Sequence, residues 1–238
     1  MNGMDCLIKG LQLITRPGLR QYVIMPFLIN VVVLSLFIGY GVTQYGYWMT
    51  MLTDSLPAWL EFLSWIIGVL AILMGIAVLL YAFTIVGNII AAPFNALLAV
   101  KVEEHLLGIT IASDTPFYIV ALRSVGREFS KLRYYLPRLL GLLVLTLIPG
   151  VNTLAPVLWL LFGAWMMAVQ YTDVAADNNE LAFGALRVRL GQHKLDALWF
   201  GLVVYIIVAI PLLNLLLIPA AVAGGTVFWV EQLRVPEP

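Results

Sequence analysis

The chain has 238 residues, of which 62% are apolar and only 11% charged, and its mean hydropathy is +0.99. Soluble globular domains carry about 25% charged residues, so this composition excludes them and indicates an all-α integral membrane protein. Thirteen basic residues cancel thirteen acidic ones, which gives no support to nucleic acid as a partner. The single Cys6 excludes an internal disulfide, and His105 and His193 stand in no ligand spacing, so no metal and no cofactor is expected. No GxSxG and no paired catalytic aspartates occur in the apolar runs, so an enzyme is not expected.

Residues 1–20 carry Leu7, Ile8, Leu11 and Ile14 at helical spacing, the pattern of a short amphipathic helix lying on the membrane surface. It ends at Arg16-Pro17-Gly18-Leu19-Arg20. Backbone N–H groups and two guanidinium groups converge there on the start of the next helix, which is the composition of an anion site. The alternative is that Arg16 and Arg20 only anchor the span to phosphate headgroups. A first span follows over 22–42, long enough to cross a bilayer. The run is too long for a signal peptide and lacks an A-x-A site, so it is read as a retained span. Between 43 and 61 there is no Lys or Arg, and Tyr45, Tyr47, Trp48, Trp59 and Trp65 form an aromatic belt. The positive-inside rule puts this loop outside and the N-terminus in the cytoplasm.

Residues 62–100 are uncharged and as one straight helix would reach about 58 Å, against a bilayer core of about 30 Å. The helix must therefore run past the membrane or break inside it, and Gly87, Asn88 and Pro93 mark the expected break. Beyond it, Asn88, Ala91, Ala92, Asn95, Ala99 and Glu103 share one narrow face, suited to close helix packing or to lining a passage. The cytoplasmic loop 101–138 is helical and basic: Leu122, Val125, Phe129, Leu132 and Leu136 make an apolar stripe, and Arg123, Arg127 and Lys131 recur every fourth residue. This face either lies on acidic headgroups or raises the anion concentration at a pore mouth.

The last hundred residues contain a repeat. Ile148-Pro149-Gly150-Val151-Asn152 with Pro156 is echoed by Ile210-Pro211-Leu212-Leu213-Asn214 with Pro219. The leading arms, 139–148 and 197–210, are only about 15 and 21 Å long, and positive residues flank both runs on one side. The expectation is two half-penetrating helical hairpins, 139–170 and 197–230, with apices at Asn152 and Asn214 and a cytoplasmic C-terminus. Broken helices repeated in this way point to a transport site; two bent but complete spans in each run are the alternative. Asp173, Asp177 and Glu180 between the hairpins match no calcium loop, and are read as caps and salt bridges to the basic loop.

Four stretches together resemble the CysZ family of bacterial inner-membrane proteins: PGLR at 17–20, VGNIIAAPFNALLAVKVEEHLLG at 86–108, YTDVAADNNE at 171–180 and LRVRLGQHKLDALWFG at 186–201. The resemblance covers nearly the whole chain, read as one membrane domain over 1–238. It implies sulfate uptake by a channel-like route without ATP hydrolysis, feeding cysteine biosynthesis. The implied fold has two long crossing helices and two hemi-penetrating hairpins, assembled as oligomers. The family's sulfate contact maps onto Gly18, Leu19 and Arg20, with Arg16 beside them. Asn88, Asn95, Asn152 and Asn214 suit a permeation path as neutral donors that do not trap the ion. Glu103 and Glu104 are expected to pair with Lys101 or with an arginine of the 123–138 helix and to form a gate, with Arg123 and Arg127 as its candidate cations. Expected partners are sulfate, sulfite as an inhibitor, membrane lipid and further copies of the chain. The runner-up function is a non-transporting partner that regulates another complex through 101–138.

Overall fold

A computed structural model of the chain describes residues 2–54, 57–111, 117–209 and 211–234; side chains at 52, 53, 58, 60, 61, 84, 85, 88, 117–125 and 211–216 are outside the description. Among the described residues there are eight α-helices and no strand: α1 Gly3–Ile14, α2 Gln21–Asp54, α3 Ser64–Leu107, α4 Phe117–Leu147, α5 Ala155–Asn178, α6 Phe183–Gln192, α7 Lys194–Val208 and α8 Pro211–Phe228. Three stretches within them, Gln21–Met51, Ser64–Phe83 and Val151–Asn178, are long and apolar enough to cross a membrane. The contacts divide into two units, Met1–Val23 with Asn95–Pro238, and Ile24–Phe94.

The second unit holds the long parts of α2 and α3. They run antiparallel, with Met49 against Gly68 at one end and Asn30 against Gly87 at the other. Most of their apolar side chains face outward, Leu36, Val42, Met74 and Val78 among them, as lipid requires. Two expectations change here. The first span does not stop at Val42 but continues as helix to Asp54, so most of the expected outer loop is helical. Nor does the second long helix break: α3 passes through Gly87, Asn88 and Pro93 as one helix of 44 residues. A proline removes one backbone bond from a helix that keeps all its others, and such prolines are tolerated in membrane helices.

The first unit is a packed bundle of α1, α5, α7 and α8. Asn2 and Asp5 form a capping box at the start of α1, satisfying two otherwise orphaned N–H groups. Its inner face is Gly3, Cys6, Leu7, Gly10 and Leu13, and burial pushes the Cys6 thiol up to about 12. This face packs against α7 and α8, while Met4 and Ile8 on the other side of the helix stay exposed. Backbone meets backbone at the crossing: a Cβ on Gly10 would lie 2.4 Å from the Gly224 nitrogen. Such contacts between small residues are a general means of holding membrane helices together. Gly10→Leu is therefore expected to lower stability by about 1–3 kcal/mol or more. Gly191→Ala, where a Cβ meets nothing within 4 Å, should hold or gain slightly through helix propensity. Denaturant unfolding of the two variants in detergent checks the contrast.

Each expected hairpin falls on two successive helices, α4 with α5 and α7 with α8, whose bounds differ from the expected arms. The first leading arm is the end of α4, which runs unbroken from Phe117 through Pro137 to Leu147. Gly150 then turns the chain at φ 85°, where a side chain would be strained. Asn152 sits exposed in the 3₁₀ turn Val151–Leu154 that follows. In the second pair the helix stops at Ala209, whose N–H bonds the Tyr205 carbonyl at 3.2 Å. Pro211 opens α8, the position where a missing N–H matters least. Asn214 therefore lies inside α8 rather than at an apex, and its side chain is outside the described residues.

Candidate functional site

The turn from α1 to α2 is built by one carbonyl. Arg16 C=O accepts from both Leu19 N–H (3.2 Å) and Arg20 N–H (3.1 Å), and Tyr22 and Val23 then bond back to the Leu19 and Arg20 carbonyls. Gly18, at φ 90°, permits the reversal, and the buried Leu19 side chain pins the turn to the core. Arg16, Gly18 and Arg20 stay exposed. The Leu19 N–H is thus committed to the turn and is not a donor for an anion, as the sequence had suggested; Leu19 acts as an anchor. The Arg20 side chain makes no hydrogen bond or ion pair among the described residues and is exposed, so its guanidinium is open to solvent. Arg16 Nη1 lies 2.8 Å from His105 Nε2, a contact that requires the proton of a neutral ring on Nδ1.

His105 belongs to the last turn of α3, where Lys101 Nζ donates to Glu104 Oε2 at 2.6 Å. The other oxygen of Glu104 accepts the Ile111 N–H at 3.0 Å. The Lys101 hydrogen bond holds the Glu104 carboxyl below its ordinary value of 4.5 and raises Lys101 above 10.5. A depressed carboxyl stabilises the fold above its unfolded value and loses that contribution as pH falls through the depressed one. Stability is accordingly expected to decline on acidification below about pH 4.5, and more weakly in Glu104→Gln, as melting curves across pH would read. Lys101 is 41% exposed, so solvent screening keeps the effect small.

Glu103 points the other way and is completely buried. It accepts from Asn179 Nδ2 at 2.7 Å and Trp229 Nε1 at 3.3 Å, and Arg234 Nη1 stands 3.7 Å away. The expected pairing of Glu103 with the 123–138 helix is thereby corrected: its cation comes from the C-terminal segment. Asn178 Nδ2 donates to the Ala96 carbonyl at 3.0 Å, so the neighbouring amides Asn178 and Asn179 tie the end of α5 to α3. Asn95 is half-buried nearby in sequence; the side chains of Asn88 and Arg123 are outside the described residues.

On another face of α5, Asp173 Oδ1 takes Arg127 through Nε (2.8 Å) and Nη2 (2.6 Å), and Oδ2 takes Lys131 at 2.8 Å. Arg127 Nη1 also donates to the Leu181 carbonyl at 2.6 Å, and Asp177 lies 3.5 Å from it. Arg127 is hence locked in a buried ion network, which leaves it unsuited to lining a pore. The acids of the Tyr171–Glu180 stretch make the salt bridges to the basic loop expected of them, but not the caps: Asp177 lies inside α5, and α6 starts from Ala182 without a side-chain cap. The particular pairing of Asp173 with Arg127 and Lys131 has a sequence signal: Arg127 and Lys131 are four apart on α4, and so are Asp173 and Asp177 on α5, which places matching charges on two facing helices. Trp229 and Arg234 carried no such local signal.

A family described as "Sulfate transporter CysZ/Etoposide-induced protein 2.4" matches residues 6–219. A protein of Pseudomonas aeruginosa named Sulfate transporter CysZ is 44% identical over 98% of this chain and 96% of its own length. Proteins of the same name from Pseudomonas fluorescens and Pectobacterium atrosepticum are 42% and 40% identical, again over 98% of this chain and over 94% and 86% of theirs. The chain belongs to the CysZ family. Within that CysZ frame, the chain has an exposed basic turn at 16–20 beside the end of α3, and its carboxylates at 103 and 104 are each already partnered.

Proposed function

We propose that the chain carries sulfate across the bacterial inner membrane by a channel-like route, supplying cysteine biosynthesis. The observation that carries the reading is 44% identity to a named sulfate transporter across 98% of the chain. The basic turn supplies the chemistry. Sulfate is a strongly hydrated dianion, and guanidinium N–H donors replace its water in a bidentate geometry while also cancelling charge. Arg20 is the free cation there, with Arg16 and the Gly18 N–H as its neighbours. The turn attracts the ion at low concentration, and neutral donors such as Asn95 and Asn152 pass it on without trapping it.

Bare carboxylates would repel sulfate, but Glu103 is buried against Arg234, Asn179 and Trp229. Glu104 is held by Lys101. The path is therefore not fronted by an uncompensated negative charge. The lack of Lys and Arg over 43–61 supports cytoplasmic N- and C-termini, and the short uncharged leading arms support hairpins that enter the membrane part-way. The outward apolar faces of α2 and α3 fit lipid or a further copy of the chain. A bacterial strain stripped of ATP-driven sulfate import tests the reading on limiting sulfate. The chain is expected to restore growth and Arg20→Ala to restore little; growth no better than with an empty plasmid would count against transport.

A further inference from the structure

A second cationic feature lies away from the 16–20 turn, between α4 and α6. Arg133, Tyr134 and Arg138 from one helix and Phe183 and Arg187 from the other line a cavity of about 360 Å³. Among the described residues, three guanidinium groups border it and no carboxylate does. The volume is on the order of ten times a water's share of the liquid, about 30 Å³, so a tetrahedral oxyanion fits with room for attached groups or water.

Tyr134 organises the site. Trp165 Nε1 of α5 donates to its hydroxyl at 2.9 Å, and Phe183 meets its ring edge-on at 5.9 Å. Arg138 and Arg187 both lie over that ring, at 3.7 and 4.5 Å from its centre. Stacking uses the face of a guanidinium and leaves its in-plane N–H donors free. Arg138 spends one of five on the Tyr134 carbonyl, 2.7 Å away. Arg187 Nε is buried with no hydrogen-bond partner among the described residues. Arg133 makes no ion pair there either. Bringing three guanidinium groups to one cavity is electrostatically unfavourable, and an anion bound among them offsets that cost.

The position along α4 indicates which source of anion. Arg138 is the last charge before an uncharged run over 139–147. Arg133 heads a face that continues as exposed Leu136, Leu140, Leu143 and Leu147, at spacings of three or four residues. A charged head site above an apolar strip is the shape of a phospholipid. We propose that this cavity binds a tetrahedral oxyanion, supplied by the phosphate of an anionic phospholipid whose acyl chains lie along the leucine face of α4.

The test uses the full chain, delipidated in detergent and carrying Arg20→Ala so that the sulfate turn does not contribute. One arm adds short-chain phosphatidylglycerol, with phosphatidylcholine as control; the other adds inorganic phosphate or sulfate. Melting temperature and native mass spectrometry read binding. Phosphatidylglycerol is expected to bind and raise the melting temperature, and Arg138→Gln or Arg187→Gln to weaken it about tenfold each. Arg133→Gln, an exposed site, serves as a variant whose folding is not at stake and should weaken binding as well. Saturation by free phosphate with the same arginine dependence, and no further effect of the lipid, would uphold the oxyanion site and name a soluble ion as its source. Equal binding by phosphatidylcholine, or binding unchanged in all three variants, would overturn the proposal.

Discussion

Asp173→Ala is expected to destabilise the protein by about 3–5 kcal/mol, the usual consequence of stripping the partner from a buried charge. The carboxylate is 2% exposed and holds Arg127 and Lys131, themselves 9% and 5% exposed. Without it, two cations stay in the interior. Asp177 at 3.5 Å offers Arg127 only a distant counter-charge, and Glu128, though 2.6 Å from Lys131, is 63% exposed and screened by solvent. The comparison that decides the mechanism is Lys9 with Glu231, similarly close at 2.7 Å but 36% exposed on both sides. Lys9→Ala should change stability by at most about 1 kcal/mol, since exposed pairs contribute little. Denaturant unfolding of both variants would show a wide gap; equal and small losses would mean that the α4–α5 network does not hold the two helices together.

Arg20→Ala is expected to weaken sulfate binding at least about tenfold while leaving the fold intact. The structure separates the parts of the turn. Leu19 supplies a buried anchor, Gly18 the backbone reversal, and the Arg16 carbonyl the two hydrogen bonds that hold the shape. None of these depends on the Arg20 side chain. Arg16→Ala should have a smaller effect on affinity, because one of its N–H groups is already engaged by His105. Arg20→Lys keeps the charge but loses the fork, so an intermediate affinity is expected. Sulfate-dependent shifts in melting temperature across the series check this; a full shift in Arg20→Ala would move the anion site elsewhere.

Much of the helical architecture was legible because it follows from charge and punctuation. Uncharged runs marked α2, α3 and both hairpins, and Pro149-Gly150 located the first turn. What the sequence did not reveal has particular causes. A helical wheel shows that Leu7, Ile8, Leu11 and Ile14 of α1 make an apolar stripe, but not which of them protein covers; the close approach of Gly10 to Gly224, far apart in the chain, goes with a buried Leu7 and an exposed Ile8. Pro93 reads as a break by its local chemistry, yet the rest of a 44-residue helix carries it. Pro211 moved the second turn ahead of Asn214, because the proline begins the helix rather than ending one. At the candidate site, the arginines of the turn were visible from composition alone. The assignment of Leu19 N–H to the Arg16 carbonyl and of Glu103 to Arg234 was not, since both depend on how the chain closes in three dimensions.

Sulfate is expected to pass through this protein unaided by any other. Radiolabelled sulfate uptake into liposomes holding only the purified chain, with no nucleotide present, measures that directly. Uptake well above empty liposomes and reduced close to their level in Arg20→Ala is the predicted result; folded wild-type protein that admits no more sulfate than empty liposomes would contradict it.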